Sequence, residues 1–266
     1  MNDTLNLVIS GVTGRMGKVV ARLAHLENTI KLAGGIASKN NPLLKRTFRD
    51  AWIADSDAVI YDIDSAHEVL SRADVVISFT TPAAEIENIS AIRKSGARIV
   101  VGTTGFTPEQ LAQFENEISK IPSVFSSNFS VGATVLQYLS KTLAMYLSNF
   151  DFSLIEMHHK RKIDSPSGTA LSIASEISRY KGYSKVIHGR TGRSVRSLEE
   201  LEIFSVRGGG IPGVHTILAS GEYELLKLEH DVFSREAFAY GSLLAARWII
   251  DKPAGLYRMS DVLGLN

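Results

Sequence analysis

The 266-residue chain has no cysteine. This excludes disulfide scaffolds, thiolate zinc sites, iron–sulfur clusters and cysteine nucleophiles together, and it is compatible with a reducing compartment. A net electrostatic field is missing too: 29 Lys and Arg against 28 Asp and Glu leave a formal charge of +1. Nothing global recruits nucleic acid or an anionic membrane, and only a local basic site remains open. No apolar run approaches the roughly 20 residues that span a bilayer, and the opening Met1-Asn2-Asp3-Thr4 carries no basic leader. A soluble cytoplasmic protein is expected, with no nucleic-acid or membrane partner.

What is present is an α/β rhythm. Short β-branched apolar runs recur at Leu5 to Ser10, Ile30 to Ala37, Asp74 to Phe79, Ala97 to Val101 and Ser123 to Ser126. Helical patterns lie between several of them, as parallel crossover units require. Pro82 to Ser95 reads as a helix with Ala84, Ile86, Ile89 and Ile92 on its apolar side, and Thr107-Pro108 supplies an N-cap and a first-turn proline for another. After about residue 130 the rhythm changes. Val131 to Leu147 reads as a long helix and Phe152 to Met157 as a strand. Glu202 to Val206, Val214 to Ala219 and Glu222 to Glu229 read as longer strands in antiparallel hairpins and meanders, separated by Gly208-Gly209-Gly210 and Ser220-Gly221. Ser234 to Ile250 is an apolar helix, and the tail closes with a short helix at Ser260 to Leu263.

The expected architecture is α/β, an N-terminal Rossmann-like parallel sheet with a second α+β domain carrying an open mixed sheet. The expected division is a dinucleotide-binding domain of residues 1–129 with 241–266 and a substrate-binding and oligomerisation domain of residues 130–240.

Gly11-Val12-Thr13-Gly14-Arg15-Met16-Gly17 follows the first strand and opens a helix bearing Val19, Val20 and Leu23. Its G-x-x-G-x-x-G spacing departs from the usual G-x-G-x-x-G. Its physical sense is the same: a tight turn whose N–H groups approach a pyrophosphate at a helix N-terminus. At the end of the second strand, where a carboxylate would hold a ribose diol, stand Ala37-Ser38-Lys39-Asn40. Ser38 as donor and Lys39 as cation, with Arg15 assisting, favour NADPH over NADH, and a solvated loop is the plain alternative. Gly102-Thr103-Thr104 and Ser126-Ser127-Asn128-Phe129 end two further strands, where ligands of open α/β sheets collect.

The densest chemistry is Glu156-Met157-His158-His159-Lys160-Arg161-Lys162-Ile163-Asp164-Ser165-Pro166-Ser167-Gly168-Thr169-Ala170. Adjacent residues on extended backbone point to opposite sides, so His158 and His159 take one role each. An imidazole shuttles protons near neutrality, and Lys162 holds an anionic group or delivers a proton. With Ser165 as N-cap and Pro166 at the first helical position, Ser167, Gly168 and Thr169 present hydroxyls and N–H groups at a helix start, a carboxylate-binding device. A zinc reading is poor, because adjacent histidines lack ligand spacing and three cations stand beside them. No metal is expected. His25, His67, His188 and His230 read as packing or surface residues.

These segments, with Asn128-Phe129-Ser130-Val131-Gly132, Arg207-Gly208-Gly209-Gly210-Ile211-Pro212-Gly213 and the end from Ser234 to Leu265, resemble the 4-hydroxy-tetrahydrodipicolinate (dihydrodipicolinate) reductase family of diaminopimelate and lysine biosynthesis. The resemblance spans nearly the whole chain. It implies a homotetramer in which NADPH or NADH delivers hydride to C4 of a cyclic dicarboxylate. It also implies that His158 and Lys162 are the proton-handling residues, and that His159, Gly168 and Thr169 are substrate contacts. Gly11 to Met16, Gly102 to Thr104 and Ser126 to Phe129 match cofactor contacts. Two departures stand out: Ala37-Ser38 replaces an acidic-basic pair, and Val214 replaces an acid in the glycine loop. Other Rossmann amino-acid dehydrogenases, or an inactive nucleotide-binding relative, are the competing readings.

Overall fold

The computed structural model describes residues 4–265. The chain forms two compact units, one running to Phe129 and resuming over Glu236–Gly264, the other Ser130–Arg235. In chain order the first unit begins β1 (Leu5–Ser10), α1 (Arg15–His25), β2 (Ile30–Ile36), β3 (Val59–Tyr61), α2 (His67–Ser71), β4 (Val75–Ser78), α3 (Pro82–Ser95), β5 (Arg98–Val101), α4 (Pro108–Ile118) and β6 (Pro122–Phe125). The second unit holds α5 (Val131–Tyr146), β7 (Asp151–His158), α6 (Gly168–Lys181), β8 (Lys185–Ile187), β9 (Glu200–Arg207), β10 (Gly213–Ser220) and β11 (Leu225–Val232). The chain then returns to the first unit with α7 (Glu236–Trp248), a 3-10 turn at Ile249–Asp251, β12 (Gly255–Tyr257) and α8 (Met259–Val262). Because α7 belongs whole to the first unit, the return falls at 235/236; a boundary after residue 240 would cut this helix.

The first unit is a seven-stranded sheet in the order β12-β6-β5-β4-β1-β2-β3, and every neighbouring pair is parallel. Burial on both faces explains why β1 reads as a continuous apolar run. Leu5, Leu7 and Ile9 enter one core with Val20 and Ala24 of α1 and Leu243 and Ala246 of α7. Val8 enters the other with Val69, Ile89, Ile92, Phe114 and Ile118. The chain leaves β1 toward β2 on one side and comes back to β4 on the other, so the strand order reverses between β1 and β4. Ligands of doubly wound sheets bind at such a point, beyond the carboxyl ends of the strands.

Local chemistry sets the helix ends. Thr81 caps α3 ahead of Pro82, and Thr107 with Gln110 forms a reciprocal capping box on α4. The buried side of α3 carries Glu85, Asn88, Ile89 and Ile92, whereas Ala84 and Ile86 are only partly covered. The face expected to be purely apolar therefore includes a carboxylate. Three short elements, β3, α2 and β8, have no sequence signal, because three to five residues carry no measurable period. β12, equally short, extends the sheet beside β6.

The second unit is a five-stranded mixed sheet in the order β11-β10-β7-β9-β8. β9 and β10 do not form a hairpin across Gly208–Gly210. They flank β7 on opposite sides, β9 parallel to it and β10 antiparallel. Only β10 and β11 form the expected antiparallel neighbours, and β11 starts at Leu225 because Gly221 to Glu224 closes the turn. Helices α5 and α6 cover one face through Leu136, Ala144, Ile173 and Ile177 packed on Phe152, Leu154, Ile203 and Ile217. Among the described residues no helix is long and apolar enough to cross a membrane.

Helix α7 reaches the first sheet through small residues: a Cβ on Gly241 would stand 1.8 Å from the carbonyl oxygen of Phe129. Gly241→Ala is expected to destabilise the protein by about 1–3 kcal/mol through overpacking. Thermal unfolding of the variant checks this, and an unchanged midpoint would show that the helix rides more loosely.

Candidate active site

On β7 the side chains alternate strictly, with Phe152, Leu154, Glu156 and His158 turned inward. The inward row thus ends in an acid and an imidazole instead of hydrocarbon. Glu156 is fully buried. Arg207 grips it as a fork, Nη1 to Oε2 at 2.9 Å and Nη2 to Oε1 at 2.7 Å, and the Ser167 backbone N–H donates to Oε1 at 3.2 Å. His158 Nδ1 lies 2.5 Å from Oε2. Burial pushes the Glu156 carboxyl up, but hydrogen bonds from Arg207, Ser205 and His158 outweigh it and hold the group down at about 2.

An ionised Glu156 must accept at His158 Nδ1, which fixes the ring tautomer and leaves Nε2 to exchange protons. Nε2 stands beside Gly213, where a Cβ would come within 3.2 Å. Burial lowers the His158 pKa from its ordinary value, Glu156 opposes it, and Lys162 and Arg207 add to the lowering. A second imidazole, His215, packs edge-on against His158 at 5.2 Å between centroids, with Nε2 3.0 Å from Ser167 Oγ. Burial first, then the neighbouring His158, drops its pKa to about 4.

Past the strand, His159 is half-buried and Lys160 and Arg161 are exposed. Lys162 pairs with Asp164 at 2.8 Å, and Arg207 also donates to the Asp164 carbonyl. Helix α6 starts at Gly168 with Ser167 as N-cap, its hydroxyl accepting from Ala170 N at 3.2 Å. Ser165 is not the cap and Pro166 lies outside the helix, because the Ser167 N–H is drawn to Glu156 and its hydroxyl to the first turn. Gly168 and Thr169 begin the helix as expected, with Gly168 exposed and Thr169 partly buried.

In the first unit, Gly11 has φ +77° and a Cβ there would meet the Phe79 carbonyl oxygen at 2.3 Å; Gly14 N–H donates to the Gly11 carbonyl and caps α1. Val12 is buried in the core and Met16 packs against it, so these two have backbone to offer. Thr13 Oγ1 accepts from Asn41, and Arg15 is exposed. Ser38 and Lys39 are exposed just after β2, with Lys39 bridging Asp64 at 3.0 Å and Glu87 at 3.1 Å. Thr103 is buried and its hydroxyl is spent on Thr80 N–H and Glu85, while Thr104 is exposed. Ser126 Oγ donates to the Asn128 carbonyl, Ser127 is exposed, and Phe129 is buried edge-on to Phe79. Gly11, Phe79, Thr103 and Phe129 surround the reversal between β1 and β4. The tight glycine turn at a helix start fits a dinucleotide pyrophosphate.

Comparison with known proteins decides the family. The family model described as dihydrodipicolinate reductase, N-terminus, matches residues 5–129, and that for the C-terminus matches residues 132–263. The chain belongs to the dihydrodipicolinate reductase family. It is 38% identical to the 4-hydroxy-tetrahydrodipicolinate reductase of Methanopyrus kandleri, over 97% of this chain and 96% of the relative. It is 33% identical to that of Rickettsia rickettsii, over 97% and 98%. A dipicolinate-bound dihydrodipicolinate reductase from Paenisporosarcina sp. TG-14 superposes with TM-score 0.77 at 26% identity, covering 96% of this chain and 97% of that one. An amine dehydrogenase from Mycobacterium smegmatis shares the fold alone, at TM-score 0.64 and 13% identity over 96% and 94%.

In this reductase-family chain Glu156, Arg207 and His215 carry no local motif that marks them as site residues. Strand pairing assembles them: Arg207 stands opposite His158 in the β7–β9 register and His215 opposite Glu156 in the β7–β10 register. The one local signal was the inward period of β7 running on into Glu156 and His158.

The depressed pKa of His215 sets a sign for stability. A histidine held at about 4 and unfolding to its ordinary 6.5 gives its full contribution above pH 6.5 and loses it as pH falls through about 4. Up to about 3 kcal/mol is expected to disappear across that window. Denaturant titrations of wild type and His215→Gln between pH 7 and 4 check it: the variant should show the flatter profile, and parallel profiles would remove His215 as the cause.

Proposed function

We propose that this chain is a 4-hydroxy-tetrahydrodipicolinate reductase, transferring hydride from NAD(P)H to C4 of a cyclic dicarboxylate to give tetrahydrodipicolinate for diaminopimelate and lysine synthesis. The observation that carries the reading is the Glu156-oriented His158 beside the Lys160–Lys162 cations and the start of α6. These are groups for proton transfer and for carboxylates, on a chain whose structural relative is bound to dipicolinate. Ser167, Gly168, Thr169 and His159 take the substrate carboxylates, charge being favoured at the helix N-terminus. When bound, the reduced nicotinamide supplies the hydride. Density that reaches the ring nitrogen as hydride arrives must be met by a proton, and Lys162, steadied by Asp164, is the donor, with His158 Nε2 exchanging protons beside it.

Gly11, Val12, Thr13, Gly14, Arg15 and Met16 hold the pyrophosphate through backbone N–H groups, and the loops at Gly102–Thr104 and Ser126–Phe129 frame the nicotinamide end. NADPH is preferred over NADH, because no acid stands at the end of β2 and Ser38, Lys39 and Arg15 surround the place of a 2′-phosphate. The preference is modest, since Asp64 and Glu87 already offset the Lys39 charge. A cytoplasmic location suits a reaction that draws on reduced dinucleotide. The chain assembles as a homotetramer through the uncovered face of the second sheet, where Ile155, Met157, Phe204 and Val206 share one side and Phe204 and Val206 are exposed.

A coupled assay tests the reading: aspartate semialdehyde and pyruvate are condensed by the partner synthase while NADPH and NADH oxidation is followed in parallel. Turnover favouring NADPH is expected, and the absence of turnover despite tight dinucleotide binding would overturn the substrate assignment. Lys162→Ala is expected to lose roughly 10²–10⁴-fold in kcat with dinucleotide affinity intact. Loss of dinucleotide binding in the same proportion would misplace the site. Asp64→Asn with Glu87→Gln frees Lys39 and should raise the NADPH over NADH ratio of kcat/KM; a ratio left unchanged would take Lys39 out of cofactor choice.

A further inference from the structure

Among the described residues Glu85 is the one buried carboxylate of the first unit, 1% exposed, and nothing in the reaction as proposed uses it. It sits in the first turn of α3, at the strand-order reversal. Its Oε1 receives Ser78 Oγ at 2.6 Å, Thr80 Oγ1 at 2.7 Å and Thr103 Oγ1 at 2.5 Å. The Thr103 hydroxyl accepts the Thr80 backbone N–H at 2.8 Å, so its own proton goes to Glu85. One buried oxygen therefore ties the end of β4, the loop after β4 and the loop after β5 into a knot.

The knot is built into the backbone that the cofactor loops lean on. A Cβ on Gly11 would strike the Phe79 carbonyl oxygen at 2.3 Å and Thr80 Cγ2 at 2.9 Å, and a Cβ on Gly102 would strike the Phe79 ring at 2.0 Å. Phe129, at the end of the third loop, packs its ring edge-on to Phe79 at 5.9 Å. The glycine turn, the Gly102–Thr104 loop and the Ser126–Phe129 loop thus all rest on Phe79, the first two on Thr80 as well, and the position of Thr80 is set from within by Glu85. Three hydroxyl donors on one oxygen, in place of a cation, hold a carboxylate in a place where it would otherwise carry a heavy desolvation cost.

We infer that Glu85 is a positioning residue for the dinucleotide, fixing the three cofactor loops through Ser78, Thr80 and Thr103 without touching the reacting atoms. The inference rests on the proposed reductase function, because it assumes that the occupant of those loops is NAD(P)H. Its consequence is a division of labour: loss of Glu85 weakens dinucleotide binding and leaves the dicarboxylate half-site, with its own buried carboxylate Glu156, as it was.

The test is direct binding of NADPH and NADH to the full chain, by nucleotide fluorescence, alongside steady-state kinetics, for wild type, Glu85→Ala, Glu85→Gln and the double variant Ser78→Ala with Thr80→Val. Glu85→Ala should raise the dinucleotide Kd on the order of tenfold or more, as loss of a buried acceptor shared by three donors implies. The KM for the dicarboxylate and the acid limb of the kcat profile should not move. Glu85→Gln, whose amide oxygen still accepts hydroxyls, should recover most of the affinity. If Glu85→Ala does not fold, the double variant carries the test, since it keeps the carboxylate and removes two of its donors; a several-fold rise in dinucleotide Kd supports the inference. Unchanged dinucleotide affinity in a folded variant overturns it, as does an equal rise in the dicarboxylate KM, which would mean a general structural role. Wild type that binds neither dinucleotide would instead overturn the reductase reading, and this inference with it.

Discussion

A carboxylate with no access to water organises the second unit. Glu156 cannot stand inside β7 unpaired, because an isolated ion in such a place costs several kcal/mol. Its partner, Arg207, comes from the far end of β9, which requires β9 to run parallel to β7 in the register that sets His158 opposite Arg207. The same carboxylate draws in the Ser167 N–H, and that fixes where α6 begins. A local ionic requirement thereby determines a strand register, a helix start and the tautomer of a histidine. Removing one partner of such a buried pair typically costs about 3–5 kcal/mol, so the site and the fold around it are one construction.

Two of the buried carboxylates among the described residues, Glu156 and Glu85, show how the partner sets the direction of the shift. Glu156 meets a guanidinium, and its hydrogen bonds overcome burial, so its carboxyl is held down at about 2. Glu85 meets hydroxyls and the Thr80 backbone but no cation, and burial wins over Ser78, Thr103 and Thr80, raising its carboxyl above the ordinary value. Glu156 lies near the carboxyl end of β7, and Glu85 lies in the first turn of α3 against the end of β4. Each converts loose loop ends into a fixed rim, one around the histidines and one around the glycine turn.

Several elements were legible because their signals are local. β1 matches its apolar run residue for residue, and α3 begins and ends at the expected proline and serine. The glycine turn and the His158 to Thr169 segment were legible as chemistry, since turn geometry and cation density are properties of neighbouring residues. Illegible elements share the opposite property. β3, β8 and β12 are three residues each and exist because a sheet edge accepts them, not because their sequences demand it.

The sequence by itself determined the α/β rhythm, the cofactor turn, the family resemblance and the two residues, His158 and Lys162, on which proton handling is proposed to rest. Tertiary structure alone decided that β9 and β10 flank β7, that Ser167 and not Ser165 caps α6, and that Glu156, Arg207 and His215 converge on His158. The physical reason is sequence separation. Arg207 lies 51 residues from Glu156, and His215 lies 48 residues from Ser167. No periodicity or motif spans such distances, and only the pairing of strands, driven by burial of Leu154, Ile203 and Ile217 under α5 and α6, brings those side chains to one point.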